Sequence, residues 1–209
     1  MYELIVLGAT FAAAGIAEKH QGNCLVIERR MEAGYEFFCP HFDTDLEIYP
    51  HLQKADLLFG TDVVSVEKTE KGFSCLVHNV EGFSTVEAKR IIDTRCNTDM
   101  CEAKSYDLMI VSGAAPAFPG GACKPVDQQK HYILSVPVAL HCSYPEARAA
   151  ALEIVKQFSS SQQLVYSAGE FNYQVKAGYP KEENGILLAP SKAYADPAAA
   201  FNAGKELTK

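Results

Sequence analysis

The first 28 residues constrain the fold more than any other part of the chain, because short apolar runs flank one alanine-rich segment. Glu3–Leu7 is an apolar run too short for a helix, and Gly8 ends it. Thr10–His20 is alanine-rich and predicts a helix, and Asn23–Glu28 is a second apolar run. Strand, glycine turn, helix and strand make a βαβ unit whose strands are parallel and covered on both faces. The sequence therefore predicts an α/β fold.

The spacing inside this unit predicts a nucleotide site. A glycine turn that leads into a helix directs backbone N–H groups and the positive helix end at a diphosphate, and an acidic residue after the next strand binds a ribose. Gly8 and Glu28 hold these two places at a separation of 20 residues, which fits a dinucleotide-binding unit. The pattern G-x-G-x-x-G/A falls on Gly8, Thr10 and Ala13, so a threonine stands where the second glycine is usual.

The middle of the chain changes to a period of two. Apolar and polar residues alternate over Asp62–Thr94, and Gly72 and Gly82 mark the turns. This pattern predicts an antiparallel β-meander that returns into the parallel sheet. The preceding stretch, Asp43–Leu58, predicts a weak helical segment broken near Pro50.

The second half of the chain predicts a long-looped hairpin, two helices and three short strands. The elements are, in order, strand Asp107–Val111, a glycine- and proline-rich loop from Gly113 to Pro125, strand His131–Leu140, a helix with Pro145 in its first turn, strands near Leu164–Ser167 and Asn172–Lys176, strand Gly185–Ala189, and helix Pro197–Leu207 with Asp196 as its N-cap.

Composition and charge limit the partners. Acidic residues outnumber basic ones by 26 to 19 without any basic run, so nucleic acid and anionic membrane surfaces are poor partners. Leu4–Ala17 is uncharged but follows an acidic start, unlike a signal peptide, and Leu108–Cys123 is too short and too rich in proline and glycine to span a bilayer. The seven cysteines are scattered singly, so we expect a reducing, cytoplasmic environment and no metal centre.

The whole layout resembles the FAD-binding domain of the FAD-dependent oxidoreductases with a glutathione-reductase-like fold. In that family a βαβ unit is followed by a β-meander, a strand that leads to a tight turn over the flavin, and a final strand, small-residue turn and helix. The matching segments are Ile5–Ile16, Val26–Arg30, Arg90–Arg95, and Gly185–Ser191 before Asp196–Gly204. Three places depart from the family: Thr10 replaces a glycine, Thr94-Arg-Cys replaces Ala-Thr-Gly, and Ala-Pro-Ser191 replaces Ala-Gly-Asp.

The resemblance implies a Rossmann-like FAD-binding domain of residues 1–96 and 181–209, with residues 97–180 as a small insertion that serves as a reduced substrate domain. It implies that Gly8 and the amides of Phe11 to Ala13 cradle the diphosphate, that Glu28 holds the ribose, and that the backbone around Val64 borders the adenine. Ser191 and the last helix approach the flavin side of the diphosphate. The implied cofactor-binding residues are Gly8, Thr10, Phe11, Ala12, Ala13, Glu28, Arg29, Val64, Thr94 and Ser191.

Several functions stay open at the level of sequence. The first is an FAD-binding, oxidoreductase-like protein with a redox partner protein; the second is a non-enzymatic module that keeps the fold for binding or assembly. A nicotinamide-binding Rossmann protein is disfavoured, because it needs neither the meander nor the C-terminal strand and helix. Cys39 and His41 are a weak candidate redox pair, since side chains two apart in a loop seldom meet. The sequence indicates no substrate, no oligomeric state and no catalytic acid or base.

Overall fold

The structure is a computed structural model that describes residues 1–20, 22–37, 46–112, 122–125, 131–157, 165–166 and 169–208. The chain divides into two units, the first made of Met1–Cys96 and Lys176–Lys209 and the second of Asn97–Val175. In chain order the elements are β1 (Tyr2–Leu7), α1 (Phe11–Lys19), β2 (Cys24–Ile27), α2 (Tyr49–Leu52), β3 (Asp56–Leu58), β4 (Asp62–Thr69), β5 (Gly72–Asn79), β6 (Gly82–Asp93), β7 (Cys101–Val111), β8 (Ala122–Pro125), β9 (His131–Val138), α3 (Tyr144–Lys156), β10 (Val165–Tyr166), β11 (Glu170–Val175), β12 (Lys181–Glu183), β13 (Ile186–Leu188) and α4 (Pro197–Glu206).

The sheet of the first unit runs in the order β12-β13-β6-β1-β2-β3, with β4 and β5 attached through β6. The five strands from β13 to β3 are parallel, and β1 pairs with β2 on one side and with the second half of β6 on the other. The first half of β6 pairs antiparallel with β5, which completes the predicted meander. The α/β fold with a central parallel sheet is therefore confirmed, and the carboxyl ends of β1, β2 and β6 meet at one edge.

Alternation along β1 sorts its side chains between two cores. Leu4 and Val6 pack with residues of α1, α2 and α4, whereas Ile5 and Leu7 pack with Phe73 and other residues of the meander. These four residues of β1 are each at most 1% exposed. Helices thus cover one face of the sheet and the meander covers the other, so both faces of these strands are buried as predicted.

Two glycines let α1 and α4 cross with their backbones in contact. A Cβ atom on Gly15 would collide with the carbonyl of Phe201, and one on Gly204 would collide with the carbonyl of Ala12. The predicted cap of α4 is confirmed, because the Asp196 carboxylate accepts a hydrogen bond from the Ala199 N–H at 2.7 Å. The C-terminal helix is therefore fixed over the start of α1.

In the second unit, five strands form a sheet on which α3 packs. Its order is β10-β7-β9-β8, with β11 also paired to β7, and every pairing is antiparallel. Ala147 and Ala151 of α3 are fully buried against this sheet. The long-looped hairpin of β7 and β9 is confirmed, but β8 lies at the end of the predicted loop. Its Pro125 is compatible with a strand because β8 is an edge strand.

The prediction of a helical segment over Asp43–Leu58 holds only in part, because the helix present, α2, covers Tyr49–Leu52 alone. Residues 43–45 lie outside the described residues. Pro50 stands in the first turn of α2 rather than breaking a helix, a position where its missing N–H costs nothing. Asp56–Leu58 is the edge strand β3, too short to show a period in the sequence. No helix in the described ranges is both long enough and apolar enough to cross a bilayer.

Candidate functional site

The candidate site begins with the turn after β1. Gly8 has a φ of +95°, a conformation that side chains rarely adopt, and its N–H donates to the Ile27 carbonyl at 2.8 Å. A Cβ atom at this position would lie 2.7 Å from Cγ of Arg95 and 3.2 Å from Oγ1 of Thr94. The turn therefore needs glycine both for its backbone angle and for the side chains packed against it.

Thr10, which replaces the second glycine of the family pattern, is the N-cap of α1. Its hydroxyl accepts from the Ala13 N–H at 3.1 Å and donates to the Thr94 hydroxyl at 2.8 Å. Thr94 in turn donates to the carbonyl of Leu7 at 2.9 Å. Thr10 and Thr94 are both buried. The departures from the family at these two positions thus form one hydrogen-bond chain that joins the turn to the end of β6.

Glu28 follows β2 and reaches the Gly8 turn. One carboxylate oxygen accepts from the Ala9 N–H at 2.9 Å and the other accepts from the Arg30 N–H at 2.8 Å. The residue is partly buried. Each carboxylate oxygen has two lone pairs, so both retain capacity to accept from ribose hydroxyls.

Glu36 lies at the N-terminus of α1, a place that the sequence did not indicate. Its Oε1 accepts from the Phe11 N–H at 2.8 Å and from the Ser191 hydroxyl at 2.7 Å. The Ala12 N–H donates to that same hydroxyl at 3.3 Å. Burial raises the pKa of the Glu36 carboxyl, outweighing the hydrogen bonds from Phe11 and Ser191 and the charge of Lys192. A carboxyl group of this chain thus occupies the end of α1 that attracts anions.

The segment that carries Glu36 is held across α1 by contacts on both sides. The Gly34 N–H donates to the Ala9 carbonyl at 2.8 Å, and Gly34 has a φ of +73°. The rings of Phe11 and Phe37 meet edge to face at 5.9 Å, and the ammonium of Lys192 lies 4.7 Å from the Phe37 ring centre. The position of Glu36 is therefore fixed by neighbours that are distant in sequence, and no periodic pattern could have revealed it.

Arg95 lies on the other side of the Gly8 turn. Asp93, at the end of β6, accepts from the guanidinium through both carboxylate oxygens, at 2.9 and 2.7 Å, and also from the Arg95 N–H at 3.0 Å. The Asp93 side chain is 12% exposed, whereas the Arg95 side chain is 45% exposed. Asp93 thus fixes the orientation of a partly exposed guanidinium beside the Gly8 turn. The sequence showed this arginine only as a departure from the family turn.

The remaining predicted site residues are placed differently. Ser191 is fully buried and joins the network at Glu36. Arg29 is 72% exposed and lies 4.0 Å from Asp62. Val64 is 53% exposed and stands at an irregularity in the pairing of β4 with β5. Seven of the ten predicted residues line or cap the Gly8 turn: Gly8, Thr10, Phe11, Ala12, Ala13, Thr94 and Glu28. Cys39 and His41 lie outside the described residues.

The site fits the adenosine half of a dinucleotide better than its diphosphate. The Gly8 turn and the Glu28 carboxylate have the geometry that this half requires. The amides near the start of α1, however, already donate to side chains of this chain: Ala9 to Glu28, Phe11 to Glu36, Ala12 to Ser191, and Ala13 to Thr10. A diphosphate seated on these amides must displace Glu36 and Ser191, or contact other groups.

No protein-family model and no curated protein matches the sequence. Solved structures do match. A geranylgeranyl bacteriochlorophyll reductase-like protein from Thermoplasma acidophilum is 12% identical with a TM-score of 0.66, and the match covers 99% of this chain and 77% of that one. Aklavinone-11 hydroxylase in complex with FAD and aklavinone is 12% identical with a TM-score of 0.62, covering 99% and 61%. A flavin-dependent monooxygenase in complex with FAD and substrate is 9% identical with a TM-score of 0.59, covering 98% and 55%.

These likenesses establish the fold, which is the Rossmann-like α/β fold of FAD-dependent monooxygenases and reductases. The chain spans less than two thirds of the length of the two FAD-complexed structures, at 61% and 55%. The resemblance to FAD-dependent oxidoreductases is therefore confirmed at the level of fold. Its glutathione-reductase-like subtype stays a prediction.

Proposed function

We propose that this chain is an FAD-binding protein of the oxidoreductase type. The observation that carries the proposal is the edge where β2, β1 and β6 end, because it joins Glu28, the Gly8 turn and Arg95. Ligands of parallel α/β sheets bind at this edge, outside the carboxyl ends of the strands. The solved structures that share the fold include two with FAD bound, which supports FAD as the cofactor.

Each residue has a role in this proposal. Glu28 accepts hydrogen bonds from the adenosine ribose, Gly8 lets the cofactor approach the backbone, and Val64 borders the adenine. Ser191 and Thr94 lie toward the flavin side of the diphosphate. Bound FAD supplies the electron transfer, while the protein supplies position and electrostatic field. Residues 97–180 form the substrate domain, and electrons come from a partner protein or from the substrate.

Titration with FAD tests the proposal. Protein freed of endogenous ligand is titrated with FAD and, in parallel, with FMN, and flavin fluorescence and visible absorbance are followed. We expect saturable binding of one FAD per chain and much weaker binding of FMN, because FMN lacks the adenosine that Glu28 holds. A chain that binds neither flavin overturns the proposal and favours the non-enzymatic module, for which the structural neighbours give no support.

A further inference from the structure

The charges at the Gly8 turn are unfavourable for a diphosphate as the family would bind it. Glu28 and Glu36 both accept from backbone amides here, and Asp93 is buried at the end of β6. At the positive end of α1, the Phe11 N–H already donates to Glu36. An incoming diphosphate therefore needs a cation from elsewhere in the chain.

The basic side chains around this edge differ in what they contact. The Arg30 guanidinium lies 3.3 Å from the centre of the Tyr35 ring, and Lys192 lies over Phe37. Arg29 faces Asp62. The side chain of Arg95 packs directly on the Gly8 turn. A Cβ atom added at Gly8 would lie 2.7 Å from the Cγ of Arg95.

The guanidinium of Arg95 is also prepared for an anion. Asp93 accepts from its Nε and Nη2 atoms, which fixes the plane of the group and uses two of its five N–H groups. A fixed planar guanidinium recognises phosphate oxygens with two parallel hydrogen bonds. Because the side chain is 45% exposed, a ligand reaches it without any movement of the core.

We propose that Arg95, oriented by Asp93, is the phosphate-binding residue of this site. It replaces the amides of Phe11 and Ala12, which already donate to Glu36 and Ser191. The inference rests on the proposed FAD-binding function. In this inference Arg95 binds the diphosphate of the cofactor. The arginine that stands in place of the family's Ala-Thr-Gly turn therefore adds a contact to the ligand.

The test compares FAD affinities of single variants at low and high NaCl. Arg95→Ala removes the cation, Arg95→Lys keeps the charge without the planar fork, and Arg90→Ala is the matched control, an exposed arginine on β6, the strand that ends just before Arg95. Because Arg95→Ala leaves the Asp93 carboxylate buried without its partner, the double variant Asp93→Asn/Arg95→Gln removes both charges together. Thermal unfolding of every variant shows whether the fold is kept.

We expect Arg95→Ala and the double variant to bind FAD about 10- to 100-fold more weakly, which is the size of a lost charge-assisted hydrogen-bond pair. Arg95→Lys should lie between them and the parent, Arg90→Ala should match the parent, and the salt dependence of FAD binding should shrink when Arg95 is lost. A folded double variant with parental FAD affinity, or with the parental salt dependence, overturns the inference. A parent that binds no FAD instead overturns the proposed function itself.

Discussion

At the scale of single residues, Glu36 changes the expected chemistry of the site most. Its carboxyl group accepts from the Phe11 N–H and the Ser191 hydroxyl, so these two donors at the start of α1 are occupied before any ligand arrives. A diphosphate that approaches this point must displace the Glu36 carboxyl and, where that carboxyl is ionised, meets its negative charge as well as the helix dipole. The charge of Glu36 should therefore weaken the binding of an anionic cofactor.

Glu36→Gln tests that effect. The glutamine amide oxygen still accepts from Phe11 and Ser191 but cannot become negatively charged, so we expect FAD to bind several-fold more tightly at pH values where Glu36 is ionised. The free energy of unfolding should change by less than about 1 kcal/mol, the size of a charge–dipole contact at a helix end. Fluorescence titration gives the affinity and chemical denaturation gives the stability. Weaker FAD binding in this variant would mean that the Glu36 carboxylate itself contacts the cofactor.

Thr10 gives a second test at this scale, because its hydroxyl both caps α1 and binds Thr94. Thr10→Gly removes the hydroxyl, so we expect the free energy of unfolding to fall by about 1 kcal/mol, mainly through the lost buried hydrogen bond, since glycine is itself a tolerable N-cap. Thr10→Ser keeps the hydroxyl and is the matched control, which should stay within a few tenths of a kcal/mol of the parent. Thermal unfolding compares the two. Equal loss in both variants would assign the effect to the γ-methyl group.

At the scale of elements, the crossing of α1 and α4 depends on two glycines. Gly204→Ala places a Cβ atom against the carbonyl of Ala12, which is backbone and cannot rotate away. We expect a loss of about 1–3 kcal/mol in the free energy of unfolding, the usual cost of overpacking a tight contact. Asn202→Ala is the control, because Asn202 is exposed on the same helix. If chemical denaturation finds the two variants equally stable, the backbones of α1 and α4 can accommodate a Cβ atom at position 204, contrary to this expectation.

The sequence predicted most elements of the first unit because their signals are local. The βαβ opening, the meander between Gly72 and Gly82, and the Asp196 cap all follow from period, turn residues and capping chemistry within a few positions. Strands β3 and β12, of three residues each, are too short to show a period. Glu28 was predicted from its spacing from Gly8. Glu36 and the contact of Arg95 with the Gly8 turn were not predicted, because both depend on how distant segments pack around one turn.

At the scale of the whole molecule, the chain has one βαβ unit with a glycine turn at a helix N-terminus in the part that the structure describes. A dedicated nicotinamide site usually needs a second such unit. The later glycine-rich segment, Gly113–Gly121, lies outside the described residues, and its Pro116 and Pro119 lack the amide donors that a phosphate loop uses.

We therefore expect the FAD-loaded protein to oxidise NADH and NADPH inefficiently. Anaerobic mixing with an excess of either dinucleotide, followed by absorbance of the flavin in the visible range, measures this directly. Reduction of the flavin by dithionite in the same cell is the control that shows the bound cofactor can be reduced. Rapid bleaching by NADH or NADPH would show that a nicotinamide site exists in the chain.

In the proposed function, the edge formed by β1, β2 and β6 holds the adenosine half of FAD through Glu28. The most direct measurement is the FAD affinity of Glu28→Ala beside that of Glu32→Ala, an exposed glutamate four residues further along the same loop. We predict a loss of about 1–3 kcal/mol in binding free energy for Glu28→Ala, because ribose hydroxyls lose an ionised acceptor, and no change for Glu32→Ala. Equal FAD affinities for Glu28→Ala and the parent, with both proteins folded, would contradict the account.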